Sequence, residues 1–136
     1  MKKLLFPLFA LALATVIPAP AEEETPLGEQ MEAFNDAYKA MRRVDDSAEG
    51  AKLAREAQEA ILKAFTMTPE LVEKGGHPGS KEAAMASYRT QIARVLVTMC
   101  EIEAAFVADD KDKVKELVGS LRDAKKKGHD EFMEDE

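Results

Sequence analysis

Apolar residues recur at three- and four-residue spacings through most of the chain beyond residue 25. Leu27, Met31, Phe34, Tyr38 and Met41 follow one another at intervals of four, three, four and three, which lines one face of a helix. The pattern predicts a first helix over 26–44, with Thr25 as N-cap and Pro26 at the first helical position. The acidic residues 22–24 suit its positive dipole end. A second predicted helix, 47–67, is rich in alanine and carries Leu53, Ile61, Leu62 and Phe65; Pro69 ends it. The third, 81–107, has the clearest stripe: Met85, Tyr88, Ile92, Val95, Met99, Ile102 and Phe106. The fourth begins after Asp109 and Asp110 with Val114, Leu117, Val118 and Leu121. It continues through a more polar half containing Lys125, Gly128, His129 and Phe132.

The connections near residues 45–47 and 108–110 are short, so consecutive helices are expected to be antiparallel neighbours. The fold class is therefore all-α, an antiparallel up-down-up-down four-helix bundle. One long connection, 68–80, holds two prolines and three glycines. It lies at the end where the first helix starts and the last one finishes. Met31, Phe34, Phe65, Met67, Met85, Tyr88 and His129 are expected to converge on that end. The opposite end holds two tight turns and aliphatic packing around Leu53, Met99 and Phe106.

The first 21 residues read as a secretory leader rather than as part of the fold. Lys2 and Lys3 precede a mostly apolar run, and Ala19-Pro20-Ala21 offers small residues for cleavage. The run is short, broken by Pro7, and lacks a basic flank that would hold it in a membrane. The expected organisation is residues 1–21 as signal peptide and 22–136 as one periplasmic bundle. Loss of Lys2 and Lys3 takes the formal charge from −7 to −9. Such acidity argues against nucleic acid or anionic lipid as partner. It would suit a partner presenting a basic patch. The single cysteine, Cys100, excludes an internal disulfide and a Cys-x-x-Cys site, and beside Met99 it reads as a small buried apolar residue. His77, in the long connection, reads as a solvated loop residue.

The chemistry gathers in the opposed pair Met31 and His129. A thioether and an imidazole facing each other across an apolar slot are what a six-coordinate haem iron needs. Alone, Met31 reads as packing, and His129, eight residues beyond Leu121, reads as a hydrogen-bonded residue on the core-facing side. Their placement at one bundle end is what points to a ligand set. Phe34, Met85 and Tyr88 nearby supply the apolar, aromatic lining that a flat macrocycle demands.

These residues resemble the soluble cytochrome b562 family. The likeness is carried by Glu29-Gln30-Met31-Glu32-Ala33-Phe34-Asn35-Asp36, by Thr68-Pro69-Glu70-Leu71 and by residues 125–132, and it extends along essentially the whole chain. The resemblance implies a periplasmic one-electron carrier binding one non-covalent b-type haem, with no enzymatic chemistry. It implies Met31 and His129 as axial ligands, and Phe34, Met85 and Tyr88 as haem-lining positions. Lys125 stands where the family's basic residue precedes the histidine by one turn; it keeps the charge but not the planar fork of arginine. Lys125 and Gly128 also fill the places of the two cysteines of a Cys-x-x-Cys-His motif, so covalent haem is excluded. Gly128 and the acidic ending predict a weak last turn, because glycine costs a helix about 1 kcal/mol and carboxylates oppose the negative dipole end. The expected partners are redox proteins of unstated identity, with a monomer favoured. The rival expectation is a haem-free periplasmic binding or chaperone-like module. Copper held by methionines and His129 is a weaker third, lacking any Met-x-x-Met run.

Overall fold

The computed structural model describes residues 24–133. The expected leader and the last three acidic positions lie outside the described residues. Five helices follow in order: α1 (Pro26–Met41), α2 (Ser47–Phe65), α3 (Glu70–Glu73), α4 (Lys81–Val107) and α5 (Lys111–Phe132). The four long ones form the antiparallel bundle, and no strand occurs among the described residues.

Side-chain caps start each long helix. Thr25 accepts from the Gly28 amide at 3.0 Å, Ser80 from Ala83 at 3.1 Å and Asp110 from Lys113 at 3.0 Å. For α2 the cap is Asp46, which accepts from Glu49 at 2.7 Å. Ser47 instead donates across the bundle end to the Asp109 carboxylate. Lys111 reaches the Asp45 carbonyl at 3.0 Å, so the two tight turns are tied to each other and that end is closed. Asp109 takes a left-handed conformation, φ 53°, which an aspartate tolerates in a tight turn.

Two helix ends and one connection differ from the pattern. The first helix ends at Met41 because Arg42, Arg43 and Val44 close a turn onto Tyr38 and Ala40; Val44 still packs on the core from that turn. The second helix ends at Phe65. The long connection contains the one-turn α3, whose Val72 is only 1% exposed.

Packing explains how the bundle closes on three of its four sides. The inward face of α2 is Gly50, Ala51, Ala54, Ala57, Ala60, Ile61 and Ala64, all small but Ile61, a composition that lets backbones approach. Leu62 and Phe65, expected inside, are exposed at 54% and 38%. At Gly50 the fit is tight: a Cβ there would collide with the Phe106 ring. The α4 stripe is buried as its spacing predicts, with Val95 partly covered. Close backbone approaches join α1 to α2, α2 to α4 and α4 to α5. The neighbouring pair α1 and α5 is not joined in this way and stands further apart, and α3 lies against α4 and α5. The seam between first and last helices is the bundle's open side.

Candidate functional site

Helical geometry decides which side chains reach that seam. Each residue advances about 100° around the axis. Measured from the inward Leu121, Lys125 falls about 40° round, His129 about 80° in the same sense and Glu131 about 80° in the other. Contacts then assign the two flanks. Glu131 accepts from the Ser87 hydroxyl of α4 at 2.5 Å and from the Gln91 amide. The Lys125 ammonium sits 4.9 Å from the centroid of the Tyr38 ring of α1. His129 therefore stands on the α1-facing edge of α5.

The same count on α1, from the inward Phe34, turns Tyr38 about 40°, Met31 about 60° and Asn35 about 100° towards α5. Met31 and His129 thus occupy the two lips of one seam. The environments differ: Met31 is half-buried against the core, whereas His129 is exposed. The core-facing position expected for His129 is corrected here. Eight residues overshoot two helical turns by about 80°, and Gly128 and Phe132 take the inward places.

Behind the seam lie Phe34 and Tyr88, 3% and 4% exposed. The Tyr88 hydroxyl donates to the Ala64 carbonyl at 2.6 Å, and burial pushes its pKa up to about 12. Met85 is buried too, but it turns towards α2 rather than the seam, on the flank opposite Gln91. Burial, and then the nearby Lys39 charge, hold the Lys125 ammonium below the usual lysine range.

Three features escaped the sequence reading. Asn35 carries a buried Oδ1 with no hydrogen-bond partner, one turn from Met31 on the same flank. Phe132 meets Tyr88 edge-on with centroids 5.4 Å apart. Glu131, counted as an opponent of the helix dipole, instead clamps the last turn of α5 to α4, and α5 runs unbroken through Gly128. Angular counting along α1 and α5 would have found the flank positions; the clamp has no sequence signal of its own.

Other candidates fall away. Cys100 is exposed, correcting its buried reading, because Met99 beside it takes the inward position at 0%. His77 remains in the loop, its Nδ1 3.4 Å from the Pro78 carbonyl. Among the described residues no group of His, Cys, Asp and Glu could hold a bare metal ion. An open groove of about 560 Å³ lies along Pro78 and the outer side of α5. Its lining of Asp123, Lys126, Lys127, Asp130 and Glu131 carries charged heads, with Lys126 paired to Asp130 at 3.0 Å, and holds no sulfur or imidazole donor for haem iron.

The sequence model of cytochrome b562 matches residues 26–133, from the first residue of α1 to just beyond α5. The chain belongs to the cytochrome b562 family. No curated protein and no solved structure matches it. The cytochrome b562 family is a helical-bundle family that binds haem b non-covalently and carries electrons. No described helix is long and apolar enough to cross a membrane.

The seam suits the cytochrome b562 cofactor on its own observations. It is the side where helix backbones stand apart, and its lips offer one sulfur and one imidazole donor. Its floor is aromatic. The orphaned Asn35 oxygen marks a polar atom inside it that no protein group satisfies, a situation folded proteins seldom leave unresolved.

Proposed function

We propose that the protein is a periplasmic one-electron carrier that holds one haem b in the α1–α5 seam, with Met31 and His129 as axial ligands. The observation that carries this reading is the seam itself. The neighbouring helix pair that stands further apart presents a thioether on one lip and an imidazole on the other. When bound, the haem supplies the reversible ferric/ferrous couple, and thioether ligation favours the ferrous state.

The chain's own residues do the rest. Phe34 and Tyr88 present buried ring faces and exclude water from the floor. The Tyr88–Ala64 hydrogen bond fixes the ring that Phe132 leans on. Lys125 places a positive charge at the seam where a porphyrin carboxylate would emerge. Met31 and His129 would both be needed to hold the haem iron, and holding it with two protein donors would leave no open site for oxygen or peroxide. Met85, on the α2 side, shapes the core behind the floor. The amino-terminal Lys2, Lys3 and apolar run support export, and cleavage after Ala21 predicts a periplasmic protein whose first residue is Glu22.

Haemin titration tests the reading. Once reduced with dithionite, the loaded protein should show the low-spin ferrous spectrum of a b haem, at one equivalent per chain. Met31→Ala and His129→Ala should each convert it to high-spin iron. A high-spin spectrum that ignores both substitutions would remove the axial pair. The competing reading, a haem-free binding module, draws on the exposed Leu62 and Phe65. It predicts colourless protein from haem-replete cells and no haemin uptake.

A further inference from the structure

The formal charge of the chain is −7, yet cations border most of the seam; the carboxylates nearest it, Glu24 and Glu32, stand together at the amino-terminal end of α1. Between about 40° and about 140° round from the inward direction, on the flanks that α1 and α5 turn to each other, neither helix carries an aspartate or glutamate. The carboxylates of α5 (Asp112, Glu116, Asp123, Asp130 and Glu131) fall outward or on the α4 side. Of those on α1, Glu29 and Asp36 fall outward, and Glu32, about 160° round on the α5 side, stands with Glu24 at the open end of the bundle. The same sector holds Lys39 and Arg42 on α1 and Lys111, Lys115, Arg122, Lys125 and Lys126 on α5. Arg42 and Lys125 converge on one ring: their charged groups lie 5.8 Å and 4.9 Å from the Tyr38 centroid. Lys39 and Lys126 have carboxylates near them, Asp36 at 3.7 Å and Asp130 at 3.0 Å, all exposed, and Lys111 is bound to the Asp45 carbonyl. Arg42, Lys115, Arg122 and Lys125 have none within ion-pair distance among the described residues.

Cations left unpaired in an acidic protein raise the local potential where it counts for encounter rather than for fold stability. Like charges held together on one stripe repel, and an opposite surface relieves that repulsion. We propose that the α1–α5 seam is the docking surface for the acidic face of a redox partner protein. The seam is also where an electron would enter or leave, so docking and exchange share one surface; this last point rests on the carrier reading, whereas the charge arrangement does not. The inference reverses the expectation from net charge, which pointed to a basic partner.

The test uses haem-free and haem-loaded protein in parallel. A hexaglutamate peptide is titrated into ¹⁵N-labelled haem-free protein at low salt, and amide shifts are followed. The shifts should concentrate on α1 and α5 near Arg42, Lys115 and Arg122, and vanish at high salt. The double variant Lys115→Glu/Arg122→Glu should weaken the peptide on the order of tenfold while haemin uptake stays unchanged. In the loaded protein, ferricyanide should oxidise the ferrous form faster as salt is lowered, and hexaammineruthenium should show no such gain. Shifts spread evenly over lysines elsewhere, such as Lys52 and Lys63, would overturn the proposal. So would phosphatidylglycerol vesicles that engage the stripe while the peptide does not, which would assign it to a membrane. If haemin fails to bind but the peptide still docks on the seam, the surface stands and the carrier reading falls. The opposite result removes the surface alone.

Discussion

Glu131→Ala is the substitution in which two opposing effects can be weighed. In the native protein its carboxylate accepts from Ser87 at 2.5 Å and from Gln91, pinning the turn that carries His129. The site is partly exposed, so each hydrogen bond contributes about 1 kcal/mol rather than the larger value of a buried charged one. Against this, a carboxylate at the negative end of α5 costs about 0.5 kcal/mol. The balance is a loss of about 1.5 kcal/mol, roughly a tenfold change in the opening equilibrium of that turn. Amide hydrogen exchange of residues 129–133 should accelerate about tenfold, while the global urea midpoint moves little because the turn frays separately. Glu131→Gln, which keeps an acceptor, should fall between. In haem-loaded protein, haem release should quicken by a similar factor. If exchange in the last turn is unchanged or slower in Glu131→Ala, the dipole term outweighs the clamp and the reasoning fails.

Other expectations test the packing and the buried phenol. Gly50→Ala drives a methyl group into the Phe106 ring; overpacking of about 2 kcal/mol should exceed the helix gain of about 1 kcal/mol and lower the urea midpoint. Gly119→Ala, with nothing within 4 Å, should raise stability by about 1 kcal/mol, and shifts of the same sign for both would contradict the packing description. Tyr88→Phe should cost about 1 kcal/mol near neutrality through the lost bond to Ala64. Because the Tyr88 pKa is raised from 10.0 to about 12, the neutral phenol's contribution is complete below the unfolded value and declines as pH climbs towards the folded one. The stability gap between native protein and Tyr88→Phe should therefore hold steady up to about pH 9 and narrow between about pH 10 and about pH 12; a gap that widens would place the hydroxyl in a different environment.

Much of the bundle was legible because α4 and α1 carry large apolar residues at strict spacing. Met85 to Phe106 could face only one way, and every member does point inward or against the core. In α2 the signal was misleading: its packed face is built from alanines, which score weakly, while the conspicuous Leu62 and Phe65 face out. The one-turn α3 was invisible, since four residues cannot establish a period. Around the site, sequence spacing brought Met31 and His129 to one end but assigned His129 to the wrong angle, since a step of eight leaves about 80° of rotation. That angle matters chemically, for it moves the imidazole from the core to the α1-facing lip. The contacts between Glu131 and Ser87, and between Lys125 and Tyr38, depend on register between separate helices, which no single-helix pattern encodes.

The account rests on the α1–α5 seam being where the cofactor goes, and ring-current shifts on haem binding report that location directly. Adding one equivalent of haem to ¹⁵N-labelled protein and reducing it to the diamagnetic low-spin ferrous state should move the amides of Met31, Asn35, Lys125 and His129 most. Those of Leu53 and Phe106 at the closed end should scarcely change. Largest shifts around Leu62 and Phe65 on α2, with Met31 and His129 undisturbed, would contradict it.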